Sequence, residues 1–343
     1  MDRRDRILAP LGDLGAGGGL EIGALHHPIV RRPDANVLYV DHADTASLRA
    51  KYAGDADVTE MVDVDVVWGD QPLADALGPR APVDWVVASH VIEHVPNIVG
   101  WFDELAAVLR DGGIVSLAIP DKRYCFDIRR RETDPADVVG AWLAGSTRPS
   151  LGMVYEFYAR IEQVDAQQAW RGAYDGIEIE DNVDQGLEWA RTAAASDDYT
   201  DIHCWAFTPA SFVATLRTLF RLRLTSFAVA SLAPTIPGEL EFFCVLERLP
   251  RHLDAGTRQG RQLESLAGLD LVTTPASAAT ATTATADAVP DDRPGERPGE
   301  RTMVISDREA RLVAAKRRTF EAGKAIIRRA RARVAQPGDD RLG

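Results

Sequence analysis

Nine residues stand where their type and spacing could do chemistry. Glu21 and Gly23 lie in LEIGALHHP, Asp41 and His42 in VLYVDHAD, Asp70 in Trp68-Gly69-Asp70, Ser89 and His90 in DWVVASHVIEHVPN, Asp121 in DKRYCFD and His203 in DIHCWAFTP. Gly23 suits a strand-to-helix turn in which a ligand approaches the backbone closely. Asp41 follows it by eighteen residues, the spacing at which a carboxylate accepts hydrogen bonds from both hydroxyls of a ribose. Asp70 is placed to accept from the exocyclic amine of an adenine. Together the three point to a nucleoside-type ligand. His90 and His203 are the candidates for a general base, because an imidazole titrating near about 6.5 is the commonest acceptor of a proton from an attacking hydroxyl. His26, His27, His42, His90 and His94 all fall at or just after the ends of apolar runs. Imidazoles commonly cap loops, so no metal site is expected, and Glu93 with His94 reads as a structural tie.

The elements that must position these residues are short and apolar. Leu20–Ala24, Val37–Val40, Val64–Trp68, Trp85–Ala88 and Ile114–Ile119 are nearly continuous in hydrophobicity, the pattern of buried parallel strands. With helical spacers between them they predict a doubly wound α/β sheet. The clearest spacer is Asn97–Arg110, with Ile98, Trp101, Phe102, Leu105 and Leu109 on one face, Pro96-Asn97 opening it and Gly112-Gly113 closing it. Leu222–Val229 and Leu240–Leu246, joined by the turn-rich Ala233–Gly238, predict an antiparallel hairpin at one edge. Between the fifth strand and that hairpin lies an insertion, residues 121–205, long enough to build much of an acceptor pocket. It starts at a strand's carboxyl end, where open α/β sheets bind ligands, and this places Asp121, Lys122, Arg123 and Tyr124 beside the crevice. The charges of Asp121, Lys122, Arg123, Asp127 and Arg129 suit a hydroxylated or anionic acceptor. A further helix is predicted to open at Thr208-Pro209.

This ordered series resembles the class I S-adenosylmethionine-dependent methyltransferases, in particular the small-molecule, type 11-like group, through SHVIEHV and the following LRDGG. The resemblance covers residues 18–120, and the hairpin matches that fold's last two strands. It implies a Rossmann-like, doubly wound, seven-stranded sheet. It also implies S-adenosylmethionine as cofactor, with Glu21 and Gly23 at its methionine end, Asp41 at the ribose, Asp70 near the adenine, Ser89 with His90 beside the sulfonium, and His42 among the cofactor-binding residues. EIGALHHP followed by YVDHAD is similar to a subgroup associated with sugar and surface-glycan modification. The family's glycine-rich turn is Gly23-Ala24-Leu25-His26-His27 here, so only its first glycine remains. A pyrophosphate needs the later glycines to bring backbone N–H groups close. S-adenosylmethionine has no pyrophosphate, and the altered turn therefore favours it over the NAD of an oxidoreductase.

Composition bounds the rest. The chain has 343 residues, a net charge of −13 and 45% hydrophobic residues, enough for a substantial core and too acidic overall for a nucleic-acid binder. Cys125, Cys204 and Cys244 are odd in number and form no CxxC pair, which fits a reducing cytoplasm. The stretch MDRRDRILAPLGDLGAGGG lacks the apolar segment of a leader, and no apolar run is long enough to span a bilayer. The expected organisation is a methyltransferase domain over 1–250, a disordered Ala/Thr/Pro/Gly-rich linker over 251–302, and a basic amphipathic helix over 303–335. Residues 301–335 carry eleven Lys or Arg against three acids. Val313, Phe320, Ile327 and Val334 recur every seven residues, a stripe suited to a membrane surface or a protein partner. Two function classes follow: an enzyme methylating an oxygen of a sugar or other polar small molecule, and a non-catalytic adaptor that keeps the fold and works through its tail.

Overall fold

The computed structural model describes residues 2–53, 61–175, 181–269 and 271. Nearly all of them fall in one compact unit, Met1–Lys51 with Thr59–Ala278; the second unit, Tyr52–Val58 with Ala279–Gly343, lies almost wholly outside the described residues.

The apolar runs form strands β1 (Gly18–Ile22), β2 (Asn36–Asp41), β3 (Val66–Val67), β4 (Val83–Ser89) and β5 (Leu109–Pro120), followed by β6 (Phe227–Ala233) and β7 (Glu241–Arg248). They make one seven-stranded sheet in the order β3-β2-β1-β4-β5-β7-β6. The first five are parallel, and β7 inserts antiparallel between β5 and β6. Strand residues alternate between two cores, as the two-residue period of a pleated strand requires. Leu20, Ile22, Val86 and Ala88 join the larger core; Val37, Tyr39, Trp85 and Val87 join the smaller one on the opposite face. The larger core is closed by α3 (Leu73–Leu77), α4 (Ile98–Val108), α5 (Pro135–Leu143) and α9 (Pro209–Leu222). The smaller is covered by α1 (Arg3–Leu8) and the loop through Ile29 and Val30. The remaining helices are α2 (Thr45–Lys51), α6 (Leu151–Arg160), α7 (Ala166–Trp170), α8 (Val183–Ala194) and α10 (Ala255–Glu264). Among the described residues no helix is long and apolar enough to cross a membrane.

Helix starts follow their capping residues. Asn97 accepts from the N–H of Gly100 at α4, and Thr208 forms a capping box with Ser211 ahead of Pro209 at α9. Three boundaries differ from the sequence expectation. Helix α4 ends at Val108, and Gly112-Gly113 lies inside β5, where Gly112 takes a φ of +74°; a Cβ on Gly113 would sit 2.9 Å from the Arg110 carbonyl oxygen, so the pair serves an irregular strand start. Leu222 ends α9, with Arg223 in the left-handed region as its cap, so β6 begins only at Phe227. The third correction concerns the linker expected from residue 251. Its first part folds: Gln262, buried on α10, donates to the carbonyls of Thr225 (2.9 Å) and Phe227 (2.8 Å), Ser265 accepts from the N–H of Val229, and Leu266 enters the larger core. The helix supplies an edge strand with partners it would otherwise lack, a role that composition does not reveal. The rest of the linker and the basic tail lie outside the described residues.

Candidate active site

The register of the sheet assembles the site. Ile22 pairs with both Val40 and Ala88, so Gly23, Asp41 and Ser89 are the next residues on three adjacent parallel strands, at their carboxyl ends. This is the edge at which open α/β sheets hold ligands. Gly23 adopts a φ of +69°, and a Cβ there would come within 3.2 Å of the Val91 side chain; its N–H donates to the Val40 carbonyl, locking the turn to β2. Leu25 also has a positive φ, of 46°. Glu21 explains how this turn is held without further glycines. Its two carboxylate oxygens accept from the N–H groups of Ile29 (2.7 Å) and Val30 (2.8 Å). Burial raises its pKa to about 7, against the opposing pull of those two donors. Glu21, expected at the cofactor's methionine end, is thus a buried clamp on the turn.

Asp41 is buried at the end of β2, and among the described residues its side-chain partner is His42, whose backbone N–H (2.7 Å) and Nδ1 (2.6 Å) both meet Oδ1. The exposed His42 ring orients the carboxylate. Asp70 is exposed in the turn after β3, the strand beside β2.

Beyond β4, His90 sits at φ +57° with its N–H on the Ala118 carbonyl, a left-handed conformation rare outside Gly, Asn, Asp and His and frequent at functional strand ends. Its Nε2 lies 2.7 Å from Glu241 of β7. Arg3 of α1 forks onto both Glu241 oxygens, at 2.5 and 2.8 Å, and reaches Ser89 Oγ at 2.7 Å. Burial would raise the pKa of Glu241, but His90 and Arg3 override it and hold the carboxyl at about 2. Arg3 and Glu241 are functional candidates that sequence reading missed. Their partners are 86 and 151 residues away, and only the insertion of β7 beside β5 brings Glu241 to this edge.

The two remaining catalytic candidates, Asp121 and His203, are both buried. Asp121 is fully buried; Arg123 and Thr235 hold its oxygens at 2.6–3.1 Å, and Asp121 bridges Phe207. It fastens the insertion and presents no open oxygen to an acceptor. His203 is buried too, between the Phe126 and Phe157 rings, with Nδ1 2.6 Å from Asp127. Burial lowers its pKa against the pull of Asp127, whose own carboxyl is held well below the usual range by His203 and Arg130 despite its burial. The charges expected to line the crevice are largely spent within the insertion: Lys122 donates to the Ile128 carbonyl, Arg123 pairs with Asp121 and Arg129 with Asp181. Tyr124 instead stacks on Trp170, 4.0 Å between centroids and 7° from parallel, with the indole N–H on the Glu239 carbonyl. Glu93, His94 and His203 converge as a compact cluster, where the sequence reading expected no metal site. The first two are adjacent in the chain, but nothing in the sequence links them to His203.

Residues 13–115 match the family described as "Methyltransferase domain". No curated protein matches the chain. Among solved structures, it is similar to an S-adenosylmethionine-dependent methyltransferase from Mesorhizobium loti (13% identity over 71% of this chain and 95% of that one, TM-score 0.35). A second is described as a putative S-adenosylmethionine-dependent methyltransferase from Listeria monocytogenes (12%, 72% and 99%, 0.35), and a third is the CcbJ methyltransferase from Streptomyces caelestis (11%, 72% and 89%, 0.38). The family match spans β1 to the first half of β5, the part of the sheet that carries Gly23, Asp41 and Ser89, and the antiparallel β7 completes the strand order expected of the class. Residues 13–115 thus carry the likeness to a methyltransferase domain, on a seven-stranded sheet of Rossmann-like order.

Proposed function

We propose that the chain transfers a methyl group from S-adenosylmethionine to an oxygen of a hydroxylated polar acceptor, a sugar or glycan unit being the class that fits best. The observation that carries this reading is the convergence of Gly23, Asp41 and Ser89-His90 at the carboxyl ends of three adjacent strands. The residues fit the cofactor: Gly23 keeps the turn open where a Cβ would crowd Val91, and Asp41 offers a ribose an oriented carboxylate. When bound, S-adenosylmethionine supplies an electrophilic methyl group on a cationic sulfur.

The chain's own part is to place the acceptor and take its proton. Glu241 meets His90 at Nε2 and orients the ring as the candidate base, with Nδ1 3.9 Å from the buried Glu93. Arg3 holds Glu241 and Ser89 in one network, so the base is oriented from two sides. Tyr124 and Trp170, stacked on each other and each half-buried, are the aromatic pair of the insertion that could meet a sugar ring. The three free, buried cysteines support a cytoplasmic setting.

The deciding experiment is calorimetric titration with S-adenosylmethionine and its demethylated product, with NAD as control and an Asp41→Ala variant alongside. Micromolar binding of the first two, at least tenfold weaker in the variant, is expected, and it justifies screening sugars for methylation. Absence of binding to all three would overturn the enzyme reading and move attention to the basic segment 303–335.

A further inference from the structure

A second site lies beside the crevice and is independent of which methyl donor the domain uses. Glu93 is 2% exposed, and no donor among the described residues reaches either of its carboxylate oxygens. An ionised carboxylate in that position is costly unless a cation meets it. What faces it are imidazole nitrogens: His203 Nε2 at 3.8 Å, His90 Nδ1 at 3.9 Å and His94 Nε2 at 4.0 Å from Oε1. These separations are too long for hydrogen bonds. They are close to those of ligands around one cation, since two atoms each about 2.0–2.1 Å from a tetrahedral zinc stand about 3.4 Å apart. The ligand atoms of Glu93, His94 and His203 all lie within 4.8 Å of one another, an open set whose widest pair closes by up to about 1.4 Å on an ion of that size.

The outer nitrogen of each imidazole is turned away to a carboxylate. His203 Nδ1 meets Asp127 at 2.6 Å, and His94 Nδ1 meets Asp201 at 2.9 Å. Each carboxylate is backed by a cation in turn, Asp127 by Arg130 and Asp201 by Lys51. A carboxylate on the far side of a histidine fixes the tautomer and aims the other nitrogen inward, the arrangement that supports metal-binding imidazoles. The backbone is rigid here: the Glu93 carbonyl accepts from Cys204 N–H at 2.7 Å, and the His94 carbonyl accepts from Tyr199 OH. We infer that Glu93, His94 and His203 form a binding site for one divalent cation of the zinc class, tying the segment after β4 to the foot of the insertion. The partly exposed His94 side leaves room for a fourth ligand from solvent.

The test uses the full chain after chelator dialysis. It is titrated with Co²⁺, whose visible absorption reports the ligand field, and then with Zn²⁺ in competition, with bound metal quantified at saturation. One equivalent is expected, with a raised thermal midpoint. His94→Gln and Asp201→Asn each weaken binding at least tenfold, and His252→Gln, at an exposed position, leaves it unchanged. Glu93→Gln separates a metal site from a purely structural charge network: metal binding is lost while the metal-free protein is as stable as the parent or more so. Absence of stoichiometric binding by the parent chain, equal binding by the His94→Gln variant, or a Glu93→Gln variant destabilised without metal would overturn the site. None of these readouts depends on S-adenosylmethionine, so failure here and failure of the methyltransferase reading are told apart.

Discussion

At the scale of single residues, the first turn of the domain is the informative place. The usual glycines are replaced by Ala24, Leu25, His26 and His27, and Glu21 compensates by gripping the backbone beyond them. Its pKa, raised from 4.5 to about 7 by burial, has a defined thermodynamic sign. Between those values the folded chain binds more protons than the unfolded one, so stability is fully present below about pH 4.5 and falls as pH rises through 7, at a limiting slope of about 1.4 kcal/mol per pH unit. Glu21→Gln removes this slope while giving up one of the two accepted hydrogen bonds, so denaturant titrations at pH 5, 6 and 7 will show a lower but pH-independent contribution. The role of Glu21 was not legible in the sequence, because a strand-end acid before a glycine reads as a ligand contact. The strand-end positions of Asp41 and His90 were legible from the apolar runs that precede them, but the contact of His90 with Glu241 was not.

At the scale of elements, α10 decides where the domain ends. A chain stopped after Pro250 loses two hydrogen bonds from Gln262, one to Ser265 and the burial of Leu266, a deficit of roughly 3–6 kcal/mol. A chain stopped after Leu271 keeps them. Thermal unfolding of the two truncations should therefore differ by several degrees, the longer one matching the full chain. The strands were legible because buried parallel strands are continuous apolar runs, and α4 because its apolar face is regular. Helix α10 was not, because it binds the sheet edge through a glutamine, a serine and a single leucine, and its surface otherwise reads as solvent-facing.

At the scale of the whole molecule, the Arg3–Glu241–His90 network joins α1, the residue after β4, and β7, segments up to 238 positions apart in the chain. Glu241, held at about 2 against an ordinary 4.5, contributes stability that is present above pH 4.5 and lost as pH falls toward 2. Set against Glu21, this predicts a stability maximum on the acid side of neutrality, near pH 5, and Glu241→Gln should flatten the acid limb measured by calorimetry between pH 2 and 5. The seven-stranded sheet followed from the resemblance carried by SHVIEHV and LRDGG, whereas the pairings inside the insertion did not, because they join residues some seventy positions apart. Those pairings bear on how such a protein can diversify. Lys122 N–H donates to the Phe207 carbonyl, Thr133 N–H to that of Ala206, and Ala206 N–H returns to Thr133 Oγ1. The segment from Asp134 to Trp205 thus leaves and re-enters at neighbouring points, and the entropy of closing a loop grows only logarithmically with its length, about 0.6 kcal/mol for each doubling. A segment closed in this way can be lengthened or shortened at small entropic cost, while the sheet it leaves and re-enters is left as it was.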